Sequence, residues 1–436
     1  MEVLSPRARP GVVSSRATQR ASGGCGVKRE KPSARRRFPD SGGDQIPLIA
    51  VPSLVNLLPP MSRRSAPILL PVLAALAVSA CYPGPRRATI EERRPASPLP
   101  IPCARAADDL ILPGEKHFAH LWRITDGVEN AAEGYWSFDG QGLVYQATPR
   151  DAACDRIYAI GGRAETPLLV SSGKGVTTCA YFLPDGRHLL YSSTQAFQAD
   201  CPPRPDMSQG YVWSVHPEYD IYLRDVSTGV ERAFTTTWGY DAEATVSPLG
   251  DRIVFTSSRT GDLELWTCDL EGGQLRQVTN APGYDGGAFF SHDGKWLVFR
   301  SSAFTPGKEA EEIADYRKLL ADFKVRPTRM EIMSCRPDGS ERRQVTSLGK
   351  ASFAPYFFHD DRRIIFASNF EDEAGKGRNF DLYAVDLDGS HRERITHGDT
   401  FDGFPVFSPD GRWLVFASNR GGSHPHETNL YLAEWR

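Results

Sequence analysis

At 436 residues, 40% of them hydrophobic, the chain is long enough for two or three ordinary domains or one large repeat domain with a sizeable core. Its formal net charge of −3 averages two unlike parts: residues 1–81 hold 12 Lys+Arg against 4 Asp+Glu, and the remainder carries −11. So acidic a remainder argues against nucleic acid or an anionic lipid surface as its partner.

Residues 1–60 are rich in Arg, Ser, Pro and Gly and show no periodicity. They read as a spurious or disordered extension ahead of a second start at Met61. Residues 61–81, MSRRSAPILLPVLAALAVSAC, have the form of a bacterial lipoprotein signal. Arg63 and Arg64 form the basic region, Ala66 to Ala80 the apolar run, and Val78-Ser79-Ala80 a lipobox before Cys81, the expected site of lipidation. The apolar run of 15 residues with two prolines is short for a transmembrane span. Tyr82 after the cysteine, where Asp would retain the protein at the inner membrane, favours a periplasm-facing lipoprotein at the outer membrane. Residues 82–115 are Pro- and Arg-rich and read as an extended tether.

Residues 116–436 repeat one unit six times. The copies are WSFDGQGLVYQA, FLPDGRHLLYSS, VSPLGDRIVFTS, FSHDGKWLVFRS, FFHDDRRIIFAS and FSPDGRWLVFAS. Each is an apolar entry, a turn rich in Pro, Asp and Gly, and a strand; Asp361 stands where most copies have Gly. A third strand follows (DIYLRD, LELWTCDL, DLYAVDLDG), then a turn and a short outer strand ending in Thr (LRQVT, RRQVT, RERIT). Turns recur at spacings of 46, 64, 44, 67 and 50 residues. Four strands per unit at this period predict an all-β fold, a six-bladed β-propeller of four-stranded blades. The last unit stops at its third strand, while an orphan outer strand, His120–Thr125, precedes the first. The N-terminal strand should therefore complete the last blade and close the ring, which removes an open edge.

The repeat SPDGRWLVFASNR, followed by LY and later by RxIT, resembles that of the TolB-like family of six-bladed, WD40-like propellers; it is also similar to the propellers of prolyl oligopeptidase-type enzymes. The TolB-like resemblance implies a cell-envelope protein, expected as a monomer, that binds a protein or peptide partner. TolB proteins carry an α/β domain before the propeller; here the tether stands in that place.

In such a ring the PDG turns lie on one face, and the loops between second and third strands lie on the other. Glu133, Asp241, Glu243, Asp285 and Asp402 would crowd the channel mouth on this second face. They would hold a cation such as Ca²⁺ or a basic side chain, or else cap turns and bond neighbouring backbone amides. No other cofactor is called for. Arg300 stands where other copies have Gln, Ser, Thr or Ala, and should need a carboxylate, with Asp285 the expected partner. The enlarged loop of blade 2 offers Tyr211, Trp213, His216 and Tyr219 as a binding rim. That of blade 4 predicts a helix starting at Thr305-Pro306, with Ile313, Tyr316, Leu320 and Phe323 on its apolar face. Cys154 and Cys201 are the expected disulfide, with Cys179 as alternative partner. Cys268 and Cys335 read as core residues, and Asp220, Glu264, Glu331, Asp381 and Asn429, recurring before the third strand, as structural hydrogen bonders. The chain has no GxSxG elbow and no HExxH, and His424 to Glu427 reads as a solvated polar loop. The leading expectation is a binding propeller; the alternative is a hydrolase or lyase with a divalent cation in its channel.

Overall fold

The computed structural model describes residues 99–436 apart from 163, 204, 209, 373–377, 400, 425 and 426. The export signal and Cys81 lie outside the described residues, among which no helix is long and apolar enough to cross a membrane.

Each PDG-type turn reverses the chain into an antiparallel pair, and six such pairs extend outward into blades. Their inner strands are Val128–Trp136, Thr177–Phe182, Asp241–Val246, Asp285–Phe290, Ser352–Phe357 and Asp402–Phe407, in blades 1 to 6. Each inner strand contacts the next, and the sixth contacts the first, so the ring is closed. Strand pairing seals the closure: Phe118–Arg123 pairs antiparallel with Asn429–Trp435 as the fourth strand of blade 6. Alternating apolar residues, such as Leu414, Phe416, Leu430 and Leu432, bury the blade faces against one another.

The ordered ring begins earlier than the composition suggests. Arg105–Ala106 adds a fifth strand to blade 6 and Ile101 is buried, so the last part of the stretch read as a tether packs on the propeller. The charge that holds it is Glu115, bound to Arg420.

The residues recurring before the third strand clasp the end of the outer strand. The hydroxyls of Thr235, Thr279, Thr346, Thr396 and Thr125 donate to Asp220, Glu264, Glu331, Asp381 and Asn429 at 2.5–3.3 Å. Each also accepts the next backbone N–H, at 2.8–2.9 Å. Blade 1 keeps half the device: Ser171 accepts the N–H of Ile157 at 3.1 Å, and Arg156 replaces the acid.

Burial pushes Glu264 up to about 8, helped by the charges of Asp285 and Asp262. A carboxyl raised on folding contributes stability that is full below its unfolded value and lost as pH rises through the folded one. Blade 6 uses neutral Asn429 at the same place. Glu264→Gln is therefore expected to stabilise the ring at pH 8 by roughly 1–2 kcal/mol, with the gain vanishing near pH 4. Thermal melts at both pH values check this; an equal shift at both would contradict it.

Asp361, the departure from the turn pattern, is also structural. It sits at φ +57°, and its carboxylate accepts the backbone N–H groups of His292 and Asp293 at 2.7 and 2.9 Å, locking the blade 5 turn to that of blade 4.

Candidate functional site

Each inner strand carries a β-bulge near its start. The bulged residue is Glu133, Cys179, Glu243, Gly287, Ala354 or Phe404, and all six have positive φ, between 51° and 61°. A bulge in this conformation re-aims a side chain at the cost of strain for any residue but glycine. Five blades accept that strain, and Glu133, Cys179, Glu243, Ala354 and Phe404 line the axial cavity.

Two residues further on stand Tyr135, Tyr181, Thr245, Phe289, Tyr356 and Val406. Tyr135 of blade 1 and Phe289 of blade 4, from opposite sides of the ring, meet with centroids 5.7 Å apart. Tyr181 and Tyr356 buttress them, at 5.5 Å from Tyr135 and 5.1 Å from Phe289. The axis is thus plugged, and no residue of the PDG turns lines the cavity. What remains is a cup of about 1880 Å³ above an aromatic floor, opening on the loop face.

The two enlarged loops roof it. Trp213–Ser214 of the blade 2 loop pairs with Lys324–Val325 of the blade 4 loop, and the Val215 N–H donates to the Phe323 carbonyl at 2.9 Å. Trp213 reaches across the mouth to Phe353 of blade 5, 6.2 Å between ring centroids, and lies 5.2 Å from the Arg300 guanidinium. The helix, Glu309–Ala321, starts three residues after Pro306 and packs through Tyr316, whose hydroxyl donates to Asp262 at 2.5 Å. Phe323 lies beyond the helix end and is exposed, not on the buried face. Of the residues read as a rim, Tyr211 is exposed and bonds the Trp213 indole N–H at 3.0 Å. His216 and Tyr219 also line the cup, as Tyr211 and Trp213 do, with Tyr219 buried against Tyr240 beneath the lid. Cys154 and Cys201 are joined by a disulfide, Cα–Cα 5.8 Å, that ties the blade 2 loop to blade 1; Cys179 is free. Cys268 and Cys335 are buried in the core.

The carboxylate ring is not assembled. Asp241, Asp285 and Asp402 are buried away from the cup, paired with Arg259, Arg342 and Arg420. Only Glu133 and Glu243 of the five line it, and among the described residues no three His, Cys, Asp or Glu could together hold a metal ion. The expected Ca²⁺ ligand set of five carboxylates is therefore not gathered at the channel mouth. Nor does Arg300 pair with Asp285. Gly286 is the residue opposite Arg300 in the sheet, so Asp285 faces the other way. Arg300 instead binds Glu243 of blade 3 and the Tyr284 hydroxyl. Glu243 also accepts from Thr256, Tyr284 and the Gly287 N–H, at 2.7, 2.8 and 2.9 Å. Burial opposes its ionisation, but Arg300 and these donors outweigh burial and hold it below the usual range. Gly287 is glycine for the same reason: a Cβ there would meet the Arg300 guanidinium at 2.0 Å.

Glu133 has no such partner. Burial is the largest influence on it; the Cys179 thiol and Arg300 favour ionisation, Glu243 and Asp155 oppose it, and it is pushed up to about 7.

A six-bladed ring with one closed and one roofed face defines a propeller with a one-sided cup. No family model matches the chain. It is 27% identical over 147 residues to a TolB homologue of Chlorobium luteolum, which covers 28% of this chain and 32% of that protein. The chain thus spans about a third of the length of the curated relatives it matches. Among solved structures it is similar to TolB from Acinetobacter baumannii (TM-score 0.46, 19% identity, covering 70% of this chain and 65% of that one). It is also similar to oligogalacturonate lyase from Vibrio parahaemolyticus (TM-score 0.45, 12% identity, covering 69% and 76%). The ring is a TolB-like propeller.

Proposed function

We propose that this chain is a cell-envelope lipoprotein, anchored through Cys81 and facing the periplasm, whose loop face binds a protein or peptide partner. The observation that carries the reading is the cup itself: blind at the floor, aromatic at the lid, and entered from the decorated face alone. An axial cavity built by strained bulges in five of the six blades is costly to keep unless something enters it. The acidic remainder of the chain suits a partner with a basic segment.

The test is site-specific photo-crosslinking in intact envelopes. A crosslinker at Tyr211 is expected to give discrete adducts, and one at Leu249, exposed in a PDG-type turn on the opposite face, none. Equal labelling from both faces would overturn the loop-face reading. In the same experiment Cys81→Ala should move the protein out of the membrane fraction; retention there would contradict the anchor.

A further inference from the structure

We propose that Glu133, set above the floor formed by Tyr135 and Phe289, is the receiving site for a primary alkylammonium group. This deepens the loop-face reading and rests on it. The other four of the five candidate carboxylates are matched inside the chain: Asp241, Asp285 and Asp402 each have an arginine, and Glu243 has Arg300. Glu133 is the exception. Its contacts are the Cys179 thiol and the Tyr135 hydroxyl, the latter at 3.4 Å, and among the described residues it forms no ion pair. A carboxylate in a cavity wall without a cation is costly to keep ionised, and a cation brought by a ligand removes that cost.

The surroundings select the kind of cation. The floor offers aromatic faces, which attract a cation electrostatically. Neighbouring acceptors are few: the Gln146 carbonyl oxygen is taken by the Thr178 hydroxyl at 2.7 Å and the Cys179 N–H at 3.2 Å. A metal ion needing six or more oxygens is poorly served there. A guanidinium pairs best with both oxygens of one carboxylate, but one Glu133 oxygen already accepts from the Tyr135 hydroxyl at 3.4 Å, and the like charge of Arg300 is close enough to act on Glu133. A compact ammonium on a flexible stem can use one carboxylate and one hydroxyl above an aromatic floor. The source could be a lysine side chain of a peptide or a free amine; the chemistry is the same.

Binding should depend on pH through the groups facing Glu133. These are Cys179 and Tyr135 beside it, Asp155 from its own blade, and Glu243, Arg300 and Tyr219 from the others, with His216 lining the same cup. With Glu133 near 7, the ionised fraction rises about tenfold from pH 6 to pH 8. Burial lowers His216 and so disfavours its charged form, and an alkylammonium stays charged, with a pKa of about 10.

Calorimetric titration of the full chain tests this with acetyl-Gly-Lys-Gly-amide, its acetyllysine counterpart and n-butylamine at pH 6 and 8. Both amines are expected to bind at pH 8 and about tenfold more weakly at pH 6, and the acetyllysine peptide not to bind. Glu133→Gln, isosteric and checked by its melting temperature, should weaken both amines at least tenfold at pH 8; Phe289→Leu should weaken them while leaving the pH dependence intact. A tripeptide tighter than butylamine assigns the site to lysine, and parity assigns it to free amines. Absence of binding at pH 8, equal binding of acetyllysine, or indifference to Glu133→Gln overturns the proposal. If amines fail while Tyr211 crosslinks persist, only the ammonium site falls; the reverse result removes only the loop-face partner.

Discussion

Arg420→Ala is expected to destabilise the ring by about 3–5 kcal/mol, far more than loss of a surface charge. The guanidinium donates to both Glu115 oxygens at 2.9 and 3.1 Å and to Asp402 at 2.8 Å, and its Nε donates to Ser418 at 3.0 Å. Side-chain exposure is 6% for Arg420, 0% for Glu115 and 1% for Asp402. Three charges have therefore left water, and their mutual attraction must offset that loss. Removing the cation strands two carboxylates at the junction where the N-terminal segment meets the closing blade. The pair of Lys295 and Asp293, exposed at 68% and 42%, is the comparison. Lys295→Ala should change stability by no more than about 1 kcal/mol. Urea unfolding midpoints at matched slopes measure both. Arg420→Met combined with Glu115→Gln and Asp402→Asn should recover much of the loss, because a well-packed neutral cluster can equal a buried ionic one. A shift for Arg420→Ala no larger than that for Lys295→Ala would show that the junction carries little of the ring's stability.

Turn chemistry and strand alternation are local, so blades, closure and clasps could be read from the chain. In blades 2 to 5 the Thr that ends the outer strand and the acid that begins the third strand recur at a fixed offset, and the structure joins them. The helix over the cup was legible from Tyr316 and Leu320 for the same reason. The direction of the acidic side chains was not. Asp241 and Glu243 are two apart, and in a regular strand they would share a face. The bulge at Glu243 breaks that alternation, sending Glu243 into the cup and leaving Asp241 between blades. Partner choice across blades was equally hidden: Arg300 meets Glu243 at a separation of 57 residues, and Arg420 meets Glu115 at 305. One signal did exist. Arg300 and Gly287 are each exceptional at their repeat positions, and together they mark where a side chain displaces the room for a Cβ.

Glu243→Ala is the second large effect expected, and it separates the lid from the blades that carry it. Glu243 accepts from four groups, of which Arg300 can never shed its charge. Without the carboxylate, a buried guanidinium faces Trp213 and Tyr284 alone, at 5.2 and 4.6 Å, and cation–π attraction of about 1–2 kcal/mol cannot replace a buried ion pair. The expected cost is about 3–5 kcal/mol. Arg300→Met should cost less, since the stranded Glu243 keeps neutral donors and can take up a proton. The order of the two variants therefore tests which charge is held by which. Because Glu243 is lowered on folding, its contribution is present above its ordinary value near 4.5 and lost as pH falls through the folded value. The parent should thus lose stability below about pH 4.5 more steeply than Glu243→Ala. The lid supplies a second readout. The Val215 amide is held by the Phe323 carbonyl, and Trp213 fixes that ribbon over Arg300. Hydrogen exchange at Val215 should accelerate in Glu243→Ala by more than at the clasped amide of Leu382 in blade 5. Uniform acceleration at both would mean that the ion pair stabilises the ring as a whole and does not specifically hold the roof of the cup.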